Sequence, residues 1–141
     1  MADLHHEIEI NAPAEKVYAA ITTQEGLRGW WTADSVAQPH VGGTAEFGFY
    51  NRAIVFRMRI EELKPGKRVV WACLGDHDDW KGTRLTWEIS EKDGKSTLHF
   101  THANWRSTGS FFASCNSTWG ELMYRLKAYA EGKAPGPHWV A

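Results

Sequence analysis

Seven histidines and two cysteines carry the widest chemical range in this chain of 141 residues. His99-x-x-His102 has the spacing of a metal-binding pair on a helix. The residues around it alternate, however, with Leu98, Phe100 and His102 against Thr97, His99 and Thr101, and that pattern predicts a strand. Strand positions three apart point to opposite faces, so this pair cannot share an ion, and the adjacent His5 and His6 fail for the same reason. Asp76-His-Asp-Asp79 reads as a solvated acidic turn. The chain has no CxxC, no HExxH, no glycine-rich phosphate loop and no G-x-S-x-G. No metal and no cofactor is expected.

His102 is the one candidate for acid–base work. Its partners in alternation are apolar, so its ring should face inward, where a buried polar ring needs a hydrogen-bond partner. Proton transfer would require a second polar group about 3 Å from its reach, or a water between them, and the sequence identifies none. The plainer reading is a satisfied core histidine. Cys73 shares a strand face with Trp71 and reads as a small buried hydrophobe, with a pocket thiol as the sharper alternative. Cys73 and Cys115 fall in different predicted elements and are expected to be reduced thiols of a cytoplasmic protein.

The sixteen basic and seventeen acidic side chains balance to a formal charge of -1, which argues against a nucleic-acid partner or an anionic membrane surface. The N-terminus lacks the pattern of a signal peptide, and no window approaches a membrane span. The outlier is aromatic content: eight tryptophans among 18 aromatic residues. Each buries about 150–250 Å², and large flat rings leave gaps against one another.

These residues need elements to position them. Leu4 to Ile10 alternates as a half-buried strand. Pro13 and Glu15 open a short helix, and Thr22-x-x-Glu25 reads as a capping box starting a second. Leu27, Trp30 and Trp31 form the buried face of that second helix. Five antiparallel strands follow, over 44–50, 53–63, 68–74, 83–90 and 96–103. The fourth and fifth are joined by an Asp93-Gly94 hairpin signal. The third, apolar on both faces, should be central. Arg57 and Arg59 should face solvent. One helix closes the order over 110–131, with the stripe Phe112, Cys115, Trp119, Leu122, Leu126 and Tyr129, and a glycine cap at Gly132. At 1.5 Å per residue it spans about 33 Å. The expected architecture is α+β: a curved antiparallel sheet wrapped around a long C-terminal helix, with two short helices after the first strand. It forms a single domain over 1–141, with its core at about 4–131 and a short tail at 132–141. A twisted sheet touches a straight helix unevenly, which tends to leave a cavity for a small ligand.

Particular motifs resemble a known family. Ile8-Glu-Ile-Asn-Ala-Pro-Ala-Glu-Lys-Val-Tyr-Ala-Ala-Ile-Thr-Thr with Leu27-Arg-Gly-Trp-Trp31 is similar to the start of a START-like (SRPBCC) domain. Pro39-His-Val-Gly-Gly43, Thr86-Trp-Glu88, Leu98-His-Phe-Thr-His102 and Trp119-x-x-Leu122 agree with the branch named after the activator of heat-shock-protein-90 ATPase homologue. The resemblance covers about residues 4–131. It implies a helix-grip fold with a cavity between sheet and helix, and no single function.

The leading expectation is a binding module for a small apolar or aromatic molecule. The alternatives are a cyclase, lyase or hydrolase on an aromatic or polyketide-like substrate using His102, and a co-chaperone-like interaction module. A homodimer is left open. The expected ligand-binding residues are Trp30, Trp31, Phe49, Phe56, Met58, Trp71, Cys73, Trp87, His102, Asn116, Trp119 and Met123. Trp71, Trp87 and Trp119 are candidate walls, while Trp30 and Trp31 lie near a mouth. Trp80 and Trp139 are expected at the surface or an edge, and Trp105 in the turn into the long helix. Gly120, in mid-helix, marks either a close approach by another segment or a tolerated weakness.

Overall fold

Alternation of apolar and polar residues builds one antiparallel sheet, and the longest amphipathic stretch lies across its inner face. A computed structural model describes residues 2–140. The elements in order are β1 (Ala2–Ile10), α1 (Ala14–Thr22), α2 (Gln24–Trp30), β2 (Asp34–Ala37), β3 (Thr44–Phe49), β4 (Ile54–Lys64), β5 (Arg68–Cys73), β6 (Arg84–Lys92), β7 (Lys95–Trp105) and α3 (Ser110–Ala130). The seven strands form one curved sheet in the order β1-β7-β6-β5-β4-β3-β2, so the doubly apolar β5 is central. β2 is an addition to the predicted strands, since four residues are too few for alternation to register.

Local chemistry accounts for the joints. Asp93 and Gly94 both take positive φ (54° and 76°), as a two-residue hairpin with matching twist requires. The capping box predicted at Thr22 does not form. α1 runs through Thr22, whose hydroxyl donates to the Tyr18 carbonyl at 2.7 Å. Thr23 caps α2 instead, its Oγ1 accepting the Gly26 N–H at 2.9 Å. A side chain at Gly26 would meet the Ala19 carbonyl oxygen at 2.6 Å, so glycine there permits the tight α1–α2 corner. Trp105 ends β7 rather than opening the next turn, because it pairs with Ala2 across the sheet.

The core lies between the sheet and the three helices. Ile10, Phe47, Met58, Val69, Leu85, Trp87, Leu98 and Phe100 are fully buried, as are Val17 and Ile21 of α1 and Leu126 of α3. The outer face is polar and carries ion-pair networks, Arg59–Glu61 within β4 continuing to Arg84 of β6, and Glu62–Arg68–Glu88 across β4, β5 and β6. Exposed pairs of this kind contribute about 0–1 kcal/mol each. Arg57 and Arg59 point outward, as alternation predicts. In mid-α3, a Cβ at Gly120 would sit 3.5 Å from the His6 ring, an ordinary contact, so space alone does not require glycine there.

The segment after α3 is not a loose tail. The Arg125 guanidinium donates to the carbonyls of Pro135 (2.9 Å), Gly136 (2.8 Å) and Pro137 (3.3 Å). The backbone then pairs Trp139 with the end of α2: Trp139 N–H donates to the Trp31 carbonyl at 3.1 Å, and Ala33 N–H to the Trp139 carbonyl at 2.9 Å.

Candidate functional site

The long helix changes character along its length. Its C-terminal half packs Leu122, Met123, Leu126 and Ala130 into the core. Its N-terminal half turns Ser114, Cys115 and Thr118 toward the same side, and these are small. Small side chains opposite a curved sheet leave unfilled volume, and a cavity of about 470 Å³ lies there. That volume is within the range of small-molecule sites.

Aromatic rings make most of its wall. Phe49 and Phe56 come from the ends of β3 and β4, and Trp31 from the end of α2. Trp119 and Phe111 come from α3, Trp80 from the loop after β5, and Trp139 from the C-terminal segment. Phe56 stacks on Trp80 at 4.2 Å between centroids, and Phe49 meets Trp139 edge-on at 4.9 Å. Tyr50 and Ile54, at 60% and 43% exposure, form an open rim. The hairpin behind that rim places Tyr50, Asn51 and Arg52 all in the left-handed region (φ 53°, 57° and 66°). Arg52 secures it through ion pairs to Asp34 of β2 and Glu46 of β3.

The polar groups at the cavity are few and mostly committed. Asp76 accepts the Arg57 guanidinium at 3.1 Å through one oxygen and the Arg57 backbone N–H at 2.9 Å through the other. The His77 ring stacks on Phe111 at 4.3 Å, and its Nδ1 accepts the Asp79 N–H at 3.1 Å. Burial pushes the Cys115 thiol up to about 11, so it is not a thiolate at neutral pH.

His102 lies behind the wall. Trp119 Nε1–H donates to His102 Nδ1 at 3.3 Å, and an indole nitrogen can only donate. The neutral ring therefore carries its proton on Nε2, which donates to Thr83 Oγ1 at 2.9 Å. The Thr83 hydroxyl in turn donates to the Trp80 carbonyl at 2.6 Å. Each partner has one consistent role, and the chain ends on two residues of the cavity wall. Burial pulls the His102 pKa down to about 3. The ring is neutral and fully hydrogen-bonded, the arrangement of a positioning residue.

Of the expected ligand-binding residues, Trp31, Phe49, Phe56 and Trp119 line the cavity. The others do not, and packing explains each case. Trp30, Trp71 and Trp87 fill the middle of the molecule as touching rings, with Trp30–Trp87 at 6.1 Å and Trp71–Trp87 at 5.5 Å. The Trp30 indole N–H is bonded to the Ala20 carbonyl at 2.9 Å. Met58 and Met123 are buried in the core. Cys73 is half-buried and packed against that core, and burial pushes its thiol up to about 12. Asn116 is exposed and faces His6 of β1 rather than the cavity. Trp71 instead borders a smaller hollow of about 200 Å³ beside Tyr18 and Ile21.

Trp80 is the main omission. The sequence places it at the surface or an edge, yet it is 5% exposed and forms a wall. The charged Asp76–Asp79 turn in front of it hides that role. Trp139, expected at the surface or an edge, is half-buried and lines the cavity because the Arg125 clamp draws the C-terminal segment inward. Cys115 stood on the predicted helix stripe, and that stripe was the available signal for it.

The curved sheet, the single long helix across it and the cavity at one end define a START-like, helix-grip protein. Residues 11–131 match the model of the family described as Activator of Hsp90 ATPase homolog 1-like protein, and the chain belongs to that family. Among solved structures it is similar to the Aha1 dimer from Colwellia psychrerythraea, with 34% identity and a TM-score of 0.85 over 94% of this chain and 98% of that one. It is also similar in fold to CalU16 from Micromonospora echinospora, at 17% identity and a TM-score of 0.77, covering 96% of this chain and 69% of that one. DynU16, a putative protein in the dynemicin biosynthetic locus, shares the fold at 21% identity and a TM-score of 0.80. There 97% of this chain matches 50% of the other. No curated protein matches the chain in sequence. No helix among the described residues is long and apolar enough to cross a membrane.

Proposed function

We propose that the protein binds a small apolar or aromatic molecule in the cavity under the N-terminal half of α3. The observation that carries this reading is the 470 Å³ volume walled by aromatic rings, in which Asp76, the one lining carboxylate among the described residues, is already paired. An apolar, largely pre-formed hollow gains affinity from the area it removes from water. The polar groups favour retention over turnover: the Cys115 thiol is protonated, Asp76 is held by Arg57, and His102 is committed to Trp119 and Thr83. The reading includes a cytoplasmic setting with reduced Cys73 and Cys115. It also includes a homodimer, on the precedent of the Colwellia structure.

The test uses N-phenyl-1-naphthylamine, a neutral probe that brightens in apolar surroundings. The wild-type protein should bind it saturably. Thr118→Trp places a large ring in the cavity from a half-buried helix position. It should weaken binding at least tenfold while the melting temperature stays within a few degrees. Equal binding by both proteins, or no saturable binding by the wild type, contradicts the reading.

A further inference from the structure

The strongest unassigned chemistry lies on the other side of the sheet. β1 and β7 pair antiparallel with His5 opposite Thr101 and Glu7 opposite His99. That register brings two histidines together diagonally on the outer face, a juxtaposition invisible within either strand alone. His5 Nδ1 and His99 Nε2 face each other at 3.3 Å. Two nitrogens bound to one zinc ion at 2.0–2.1 Å in tetrahedral geometry stand about 3.3–3.4 Å apart. The two nitrogens, within hydrogen-bonding distance of each other, thus already stand at the separation of a tetrahedral edge, and an ion would displace the proton they share.

The surroundings match what a metal-bound imidazole needs. His99 uses its other nitrogen, Nδ1, toward Glu7 Oε1 at 3.4 Å. A carboxylate accepting that second N–H fixes the tautomer with the lone pair on the metal-facing nitrogen. Thr101 Oγ1 lies 3.3 Å from His5 Nδ1, where a hydroxyl can hydrogen-bond a coordinated water. His5 and Glu7 are exposed and His99 is half-buried with an accessible ring, so an ion can reach the pair from solvent.

We propose that His5 and His99 form a two-histidine chelating site for a borderline divalent transition-metal ion such as zinc, nickel or copper. Glu7 is the orienting partner, and water occupies the remaining positions. No group of three or more His, Cys, Asp or Glu side chains able to hold a metal ion occurs among the described residues, so the protein supplies only the two imidazoles here. Imidazole donors select these ions over magnesium or calcium, which prefer oxygen. An ion held here joins the edge strand β1 to its neighbour, so binding stabilises the fold by mass action.

Isothermal titration of the untagged protein with zinc chloride at neutral pH tests the site. The expected result is one saturable event in the micromolar range that magnesium does not reproduce. His5→Ala and His99→Ala should each weaken it at least tenfold, Glu7→Gln should weaken it less, and His40→Ala, in an exposed turn, should leave it unchanged. All these positions face solvent, and a melting curve in EDTA confirms that each variant is folded. Zinc binding that persists in the His5→Ala/His99→Ala double variant overturns the proposal. So does wild-type protein that shows no saturation below millimolar zinc.

Discussion

Trp119→Ala should lower the unfolding free energy by about 3–5 kcal/mol, the range for removing a buried tryptophan. The indole is 2% exposed and packs against Phe100 at 4.5 Å and Trp31 at 5.2 Å. It joins the solid ring cluster in the middle of the molecule to the wall of the cavity. Its loss both empties a core position and opens the cavity into that cluster. Trp119→Phe separates the two contributions. Phenylalanine keeps most of the apolar contact but cannot donate to His102 Nδ1, and leaving that acceptor buried and unpaired costs about 1–3 kcal/mol. Urea denaturation at neutral pH should therefore rank the three proteins wild type, Phe, Ala. For a domain of this length, the alanine variant should melt lower by on the order of 10 °C. A Phe variant as stable as the wild type would show that the indole N–H contributes nothing and would weaken the case for the hydrogen-bond chain.

The second large effect depends on pH. The folded His102 pKa is depressed to about 3, against 6.5 in the unfolded chain. Between those values the unfolded state binds a proton that the folded state refuses. Stability from this group is therefore fully present above pH 6.5 and is lost progressively as pH falls toward 3. At pH 4.5, two units below the unfolded value, the loss amounts to about 3 kcal/mol. His102→Gln removes the titrating group and retains a side chain that can both donate and accept. It should be less stable than the wild type at pH 7.5, by about 1–3 kcal/mol. At pH 4.5 that gap should shrink or reverse, because only the wild type loses this contribution. Carboxylates titrate in both proteins, so the difference between them isolates the histidine. A gap independent of pH would show that His102 is not buried as a neutral ring.

The order of elements was readable because each rests on a local pattern. Alternation marked β1, β4, β6 and β7, the Asp93-Gly94 turn joined the last two, and the 3-4 spacing from Phe112 to Tyr129 marked α3. β2 escaped because four residues do not establish a period, and its place depends on pairing with β3. The shift of the cap from Thr22 to Thr23 is a one-residue matter of where α1 ends.

The site was less readable, for a physical reason. Facing aromatics on a sheet and a helix can either touch or stand apart, and the sequence does not distinguish the two. Trp71 and Trp87 touch their neighbours and fill space; Phe49 and Phe56 border a hollow. What decides the outcome is the row of small residues Ser114, Cys115 and Thr118 on α3, where volume is missing. Trp80 and Trp139 reach the cavity through a folded loop and a clamped C-terminal segment, neither of which has a periodic signature. His5 and His99 meet only through strand register.

The eight tryptophans offer the most direct test of the account, because each indole N–H gives its own signal in a ¹H–¹⁵N spectrum. On titration with N-phenyl-1-naphthylamine, the signals of Trp31, Trp80, Trp119 and Trp139, which line the cavity, should shift saturably with one common dissociation constant. Those of Trp30, Trp71, Trp87 and Trp105 should stay in place. Shifts concentrated in Trp30, Trp71 and Trp87, or an unchanged spectrum at saturating probe, would contradict the placement of the binding site under the N-terminal half of α3.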